Sequence, residues 1–567
     1  MKYCVITGLY YELLRVLGKQ LTQEKLQFDV AIIGGGLAGI TAALELLDNN
    51  LNIVIIDRDS EQNFGGLASN SLGGMTLVNT PIQRLNGIQD SPETALRDWH
   101  SFAQFSEQDC WPIKWAELYV NRSIDDIYNW LKPKGVRFFP IPHWVERGEF
   151  GDGNSLPRYH IVWGTGQHLM RTLINELRQH VNVGNLTCLF DHKVESLLLQ
   201  NQHISGVKGR SENTGQVFEI AAPVVLAASG GINGDIERVK REWDQSWGEP
   251  PEHILNGAHR YADGTVHDAI EQINGKVTNL HQMWNYAAGI QHPEPRVASE
   301  GLSLIPPKSA LWLDATGKRF GPVPLVTGFD THLICKRIAQ DPYGYSWQVM
   351  NWKIALKEIA VSGAESNTAF RDRKIIQLAR DIFLGNHKLL EYLANECEDV
   401  VVADSLEDLV DKMNNTNASG NRTCKGRVDL DTIKQSIERY DEQVDLGREF
   451  HNDDQLRRIA QVRHWRGDRS RTCNFEKILN KKSMPLVAFR EFIVSRKSMG
   501  GIQTDLESRI LSCNGEPIPG LYAAGEAAGF GGGGISGLKS LEGTFISSCI
   551  LNARMATRSI TSQPLTP

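Results

Sequence analysis

Three glycines, Gly34, Gly36 and Gly39, follow four apolar residues in the run DVAIIGGGLAGITAALELL (29–47). Their spacing is G-x-G-x-x-G, which suits a bound pyrophosphate. The first glycine permits a sharp turn, the second leaves room for phosphate against the backbone, and the third lets a helix pack close to a strand. Some 20 residues on, Asp57 ends a second apolar run, Ile53 to Ile56, where its carboxylate can take the hydroxyls of an adenosine ribose.

The elements that must position these groups are legible nearby. Val30 to Ile33 reads as a strand buried on both faces. Leu37, Ile40, Ala43, Leu44 and Leu47 mark one face of a helix that starts at the glycines and points its free N–H groups at the phosphates. Strand, turn, helix and acid together predict a dinucleotide site. The chain has 567 residues, too many for one core, with net charge −7. A pI near 6.2 gives no sign of nucleic-acid or membrane-surface binding. No apolar run is long enough to cross a bilayer.

Residues 1–27 have an apolar part interrupted by Glu12 and Arg15 and lack a cleavage-site pattern, so they read as an N-terminal extension and not a signal peptide. Nine cysteines occur without C-x-x-C spacing. They support no metal, haem or iron–sulfur site, and they suit a reducing cytoplasm.

Later segments read as further walls of the same site. NFGGLASNSLGGM (63–75) carries Gly65-Gly66 and Gly73-Gly74 where a plain NAD domain usually continues into a regular helix. That points to backbone wrapped around a longer cofactor, FAD. APVVLAASGGI (222–232) is a buried strand ending in Ser229-Gly230-Gly231. Near the C-terminus, a strand from Leu521 to Ala524 leads to Gly525-Glu526, four glycines at 531–534, and a helix from about Thr544. Glu526 can accept from a ribityl hydroxyl, and the N-terminus of the last helix can stabilise negative charge on a reduced flavin.

These stretches, with GIQDSPETALRDW, GNSLPRYHIVWGTG and SMGGIQTD, resemble the flavoproteins of the fumarate reductase and 3-ketosteroid dehydrogenase superfamily. More closely they resemble the bacterial proteins usually called FAD-binding dehydrogenases, over residues 28 to 560. The resemblance implies an α/β fold, a Rossmann-like FAD-binding domain of glutathione-reductase type interrupted by an α+β cap. It divides the chain into FAD-binding parts at 28–281 and 485–562 and a cap at 282–484. It assigns Gly34, Gly36, Leu37, Ala38, Gly39, Asp57 and Arg58 to the ADP half of FAD. Gly65, Gly66, Ser69, Ser71, Gly73 and Gly74 go to pyrophosphate and flavin. Val194, Ser229 and Gly230 go to the adenine side, and Gly525, Glu526, Ser540, Leu541, Gly543 and Thr544 to the ribityl chain and ring. Members with covalent FAD carry a histidine before the second glycine pair. Leu67 stands there in this chain, so FAD is expected to be non-covalent.

By the same resemblance, Lys497 stands where fumarate reductases have a histidine, Ser540 in place of a substrate arginine, and Thr327 near a proton-donating arginine. Leu538 replaces a tyrosine of ketosteroid dehydrogenases. The expected catalytic candidates are Tyr286, where the chain enters the cap, Lys497, and Lys539 in the segment passing the flavin; Arg158 and His160 are as readily structural. A hydride acceptor working on a C–C bond needs a proton-handling group and donors to polarise the neighbouring carbonyl. The reading is an FAD-dependent dehydrogenase acting on C–C bonds next to a carbonyl, of ketosteroid-like or enoate substrates, with negligible fumarate reduction. Oxidation of an amine or hydroxy acid, or a flavoprotein without catalysis, stay open. No second glycine fingerprint for a nicotinamide is visible, so a quinone or small electron carrier is the expected electron partner.

Overall fold

The computed structural model describes residues 26–149, 151–201, 203–418 and 422–562. The reading of the first 25 residues falls outside them; Leu26–Gln27, expected in the extension, forms a short strand pairing with Ile220 and Ala221. The chain opens with β1 (Val30–Ile33), α1 (Leu37–Asp48) and β2 (Ile53–Ile56). α2 (Thr165–Arg178) leads to β3 (Leu186–Leu189), and β4 (His192–Gln200), β5 (His203–Ser211) and β6 (Val217–Ala221) follow as an antiparallel meander. β7 (Val224–Ala227) returns beside β1. The cap supplies β8 (Met283–Gln291), β9 (Tyr345–Asn351), α3 (Ile375–Leu384) and β10 (Leu486–Ser498). The chain then ends in β11 (Pro517–Ala523) and α4 (Thr544–Ser562).

Strands β11, β7, β1, β2 and β3 lie parallel in that order, with Arg509–Leu511 antiparallel on the β11 edge. Their apolar runs split by the strand period of two. Val30, Ile32, Ile53 and Ile55 pack with α1 and α4, while Ala31, Ile33, Val54 and Ile56 face the core under the meander. Burial on both faces explains why these strands are continuously apolar instead of alternating.

The cap is built on β10. It pairs with β8, β9 and Val400–Ala403 antiparallel, and with Ile254–Asn256 parallel. Two segments therefore differ from the expected division: Leu486–Ser498 and Ile254–Asn256 belong to the cap sheet. An apolar run reads the same for either sheet, because the partner strand lies far away in sequence. The segment from Lys353 to Arg380 is not one continuous helix: a short strand, Ala360–Val361, and the turn at Gly363 break it. In the middle of β10, Arg490 is fully buried and paired with the equally buried Asp399, with a further 2.6 Å bond to the Thr416 carbonyl. This pairing fixes the sheet's register, since leaving either charge alone would be costly.

Candidate functional site

The glycine turn behaves as its spacing implies. A Cβ at Gly34 would lie 2.4 Å from the Ala228 carbonyl oxygen, and one at Gly39 2.0 Å from that of Gly34. Both positions are closed by backbone. A Cβ at Gly36 would meet nothing within 4 Å, because Gly36 opens into a cavity. That cavity is lined by Gly34, Gly36, Leu37, Ala38, Asp57, Arg58, Gly65, Gly66, Val194, Ser229, Gly230, Gly525 and Glu526 among the expected cofactor residues. A long channel with amide groups at a helix N-terminus, a free approach at Gly36 and a carboxylate at its far end fits a dinucleotide such as FAD.

Details depart from the expectation. The Asp57 carboxylate accepts from the N–H groups of Gly35 (2.6 Å) and Asp59 (2.7 Å), so it first braces the turn; burial raises its pKa. Asp59, which the sequence reading missed, accepts from Arg260 at 2.9 Å and faces His259 at 3.2 Å. These partners hold its carboxyl below the usual range despite its burial. Arg58 is tied to Glu212 (2.5 Å) and Asp263 (2.6 Å), and its guanidinium covers the Tyr261 ring. Glu526 accepts from Ser498 N–H at 3.0 Å and is pushed by burial up to about 7.

Ser69 lines an adjoining cleft that shares Gly66 and Leu67 with the first cavity. The other loop and helix positions are not in that lining. Ser71 donates to the Ala68 carbonyl, and Gly73 packs against Thr165-Gly166. Gly74 and Gly543 leave space for the Tyr159 ring, which a Cβ would reach at 1.9 and 2.6 Å. Ser540 and Thr544 bond each other at 3.1 Å beside the buried Leu541.

The side chains with the greatest chemical capacity meet where β8, β10 and the start of α4 converge. Antiparallel pairing sets Lys497 opposite Trp284, with Tyr286 on the same face of β8 as Trp284. Trp284 Nε1 and the Tyr286 hydroxyl both donate to one oxygen of Glu542, each at 2.8 Å. Lys497 Nζ lies 4.2 Å from the Phe545 ring centroid and 5.6 Å from that of Tyr286; the Arg496 guanidinium lies 5.4 Å from the latter. Burial pushes Lys497 down to about 8, opposed by the charges of Glu542 and Glu526. Burial, and then the Glu542 charge, hold the Tyr286 phenol well above its ordinary value. The sequence reading named Tyr286 and Lys497 but missed Glu542, because an acid two residues before a helix reads as a helix-end charge. Tyr159, whose phenol is raised by burial and by Glu542, was missed too.

Lys539 is placed elsewhere. Its ammonium is bonded at 2.6 Å to Asp330, whose other oxygen caps the helix Thr331–Ala339 by accepting from Leu333 N–H at 2.8 Å. The glycines leave Lys539 room, but a buried carboxylate has claimed it. Arg158 and His160 are structural: Arg158 grips Asp90 and Asp98 at 2.6 to 2.8 Å, and His160 bonds Thr80 at 2.8 Å.

A family model described as FAD binding domain matches residues 29–546. A KsdD-like steroid dehydrogenase of Mycobacterium tuberculosis is 38% identical over 554 residues, covering 94% of this chain and 96% of its own. The chain belongs to this FAD-binding flavoprotein family. This chain also shares its fold with a flavocytochrome c3 fumarate reductase in an open conformation, at TM-score 0.66 and 18% identity over 98% of this chain and 80% of that one. It matches the 3-ketosteroid-Δ4-(5α)-dehydrogenase of Rhodococcus jostii RHA1 in complex with 4-androstene-3,17-dione at TM-score 0.63 and 17% identity, covering 96% and 99% of the two chains. It is an FAD-dependent dehydrogenase acting on C–C bonds.

Two outcomes follow from the site's construction. Gly36→Val should abolish FAD loading, because its branched side chain would project into the phosphate channel. In the native dehydrogenase, acid should release all flavin as free FAD, since residues 63–75 contain no histidine. A loaded Gly36→Val protein, or yellow colour retained by the precipitate, would contradict these assignments. Lys539→Met should cost about 3 kcal/mol of unfolding free energy by stranding Asp330, and Asp330→Asn should recover part of it. Unchanged denaturant unfolding with collapsed turnover would return Lys539 to the chemistry.

Proposed function

We propose that the enzyme desaturates a neutral, apolar ring ketone of 3-ketosteroid type, with Tyr286 and Glu542 moving the proton. The observation that carries this reading is the pair of 2.8 Å hydrogen bonds from Tyr286 and Trp284 onto one Glu542 oxygen, close to two cations. FAD held in the glycine channel supplies a two-electron acceptor. The protein must then remove a proton from the carbon beside the ketone. Tyr286 takes that proton at its phenolic oxygen while its own passes along the existing hydrogen bond to Glu542. A preformed tyrosinate is not available, because burial and the neighbouring carboxylate disfavour it. Trp284 keeps the receiving carboxylate in position. The Lys497 cation offsets negative charge that develops on the substrate oxygen as the proton leaves.

The carboxylate also bears on substrate choice. Glu542 repels a dicarboxylate, and Lys497, Ser540 and Thr327 stand where fumarate chemistry uses histidine and arginines. A neutral ketone meets no such penalty. The steroid activity in the name of the 38%-identical relative supports the same class. A quinone or a small electron carrier would serve as the electron partner of the enzyme, a reading supported by the single glycine fingerprint in the chain.

With a 3-ketosteroid and an artificial acceptor dye, Tyr286→Phe should lower turnover by about 100-fold or more while FAD stays bound. Lys497 is charged below about 8 and neutral above it, so kcat/KM should fall as pH rises through that value. Lys497→Arg should move this fall to higher pH. Full activity of Tyr286→Phe, or brisk fumarate turnover with no ketone activity, would overturn the proposal.

A further inference from the structure

Helix α3 on the cap is amphipathic in an unusual sense, with apolar residues on both faces. Leu378 and Ile382, one turn apart, line a cavity beneath the helix. Ile376 and Phe383 point outward and are 84% and 80% exposed, and Ile375 and Leu384 beside them are also exposed. Isolated exposed apolar residues are ordinary, but four on one ten-residue helix make a patch.

The surrounding charge has the opposite sign to the chain as a whole. Residues 371–388 hold five Lys and Arg against two Asp, in a protein of net charge −7. Arg373, Lys374, Arg380 and Lys388 are exposed beside the apolar residues. Apolar side chains that enter the acyl boundary, flanked by cations that meet anionic headgroups, are the physical requirements for a helix lying in a bilayer interface. Among the described residues no helix is long and apolar enough to cross a membrane, so such contact would be peripheral.

The cavity beneath α3 adds a second observation. It shares His292, Leu302, Glu365 and Ser366 with the adjoining cleft, which reaches Arg496 and meets the cofactor cavity at Gly66 and Leu67. A path lined mainly by polar side chains therefore runs from the underside of the exposed helix to Arg496, beside the Tyr286 ring.

We infer that α3 docks the enzyme on anionic lipid bilayers, its outward apolar residues entering the interface and its cations pairing with headgroups. The docking stands independently of the ring-ketone reading above.

The test is co-sedimentation of FAD-loaded enzyme with vesicles, without substrate. One set is phosphatidylcholine alone, and the other contains about one-third phosphatidylglycerol. The native enzyme should sediment with the anionic vesicles, and added salt should weaken this. Ile376→Asp/Phe383→Asp should reduce partitioning by about ten-fold or more, with unchanged flavin absorbance and unchanged turnover of a ketosteroid presented in detergent. No sedimentation of the native enzyme, or equal sedimentation of the variant, would overturn the inference. So would a native dimer that the double substitution turns into monomer without any vesicle binding, since the patch would then join two copies of the chain.

Discussion

A carboxylate set at the meeting of two layers needs its charge answered by both. Glu542 stands just before α4, the last helix of the flavin fold, yet its hydrogen-bond donors, Trp284 and Tyr286, come from the cap strand β8. The neighbouring cations come from β10. The position of the cap over the cofactor channel is thus tied to the same atoms that are proposed to move a proton. A shift of one residue between β8 and β10 would turn Lys497 to the other face of the sheet and leave Glu542 short of positive charge. The buried Arg490–Asp399 pair further along β10 opposes that slip.

The electrostatics around Glu542 are graded. Lys497 is pushed down and Glu526 pushed up, each by burial, so both lie nearer neutrality than exposed groups would. Groups poised in this way respond to a small change of charge nearby. By contrast Lys539, only a few residues before Glu542, has its charge fully engaged by Asp330 and contributes to the cap's attachment.

The nucleotide half of the fold was legible because its determinants are local. Gly34 and Gly39 each meet a steric condition set by a neighbouring strand or within a few residues, Gly36 lies between them facing the cavity, and the apolar runs of β1 and β2 need only be buried on both faces. The cluster was less legible because its determinants are long-range. Glu542 and Tyr286 are 256 residues apart, and nothing near either one announces the other. The placement of β10 in the cap sheet depends on distant partners in the same way. Lys539 shows the complementary error: its local surroundings promised a free cation, and a carboxylate 209 residues away removed it. Tyr286 and Lys497 were named as candidates through resemblance to a family, and spacing alone would not have singled them out.

In the proposed chemistry Glu542 receives the proton that Tyr286 relays. The decisive measurement is anaerobic rapid mixing of FAD-loaded enzyme with a 3-ketosteroid, followed by loss of the oxidised flavin absorbance. Native enzyme should bleach, and Glu542→Gln should still bind the steroid but bleach about 100-fold more slowly or worse. Bleaching of Glu542→Gln at the native rate would contradict the account.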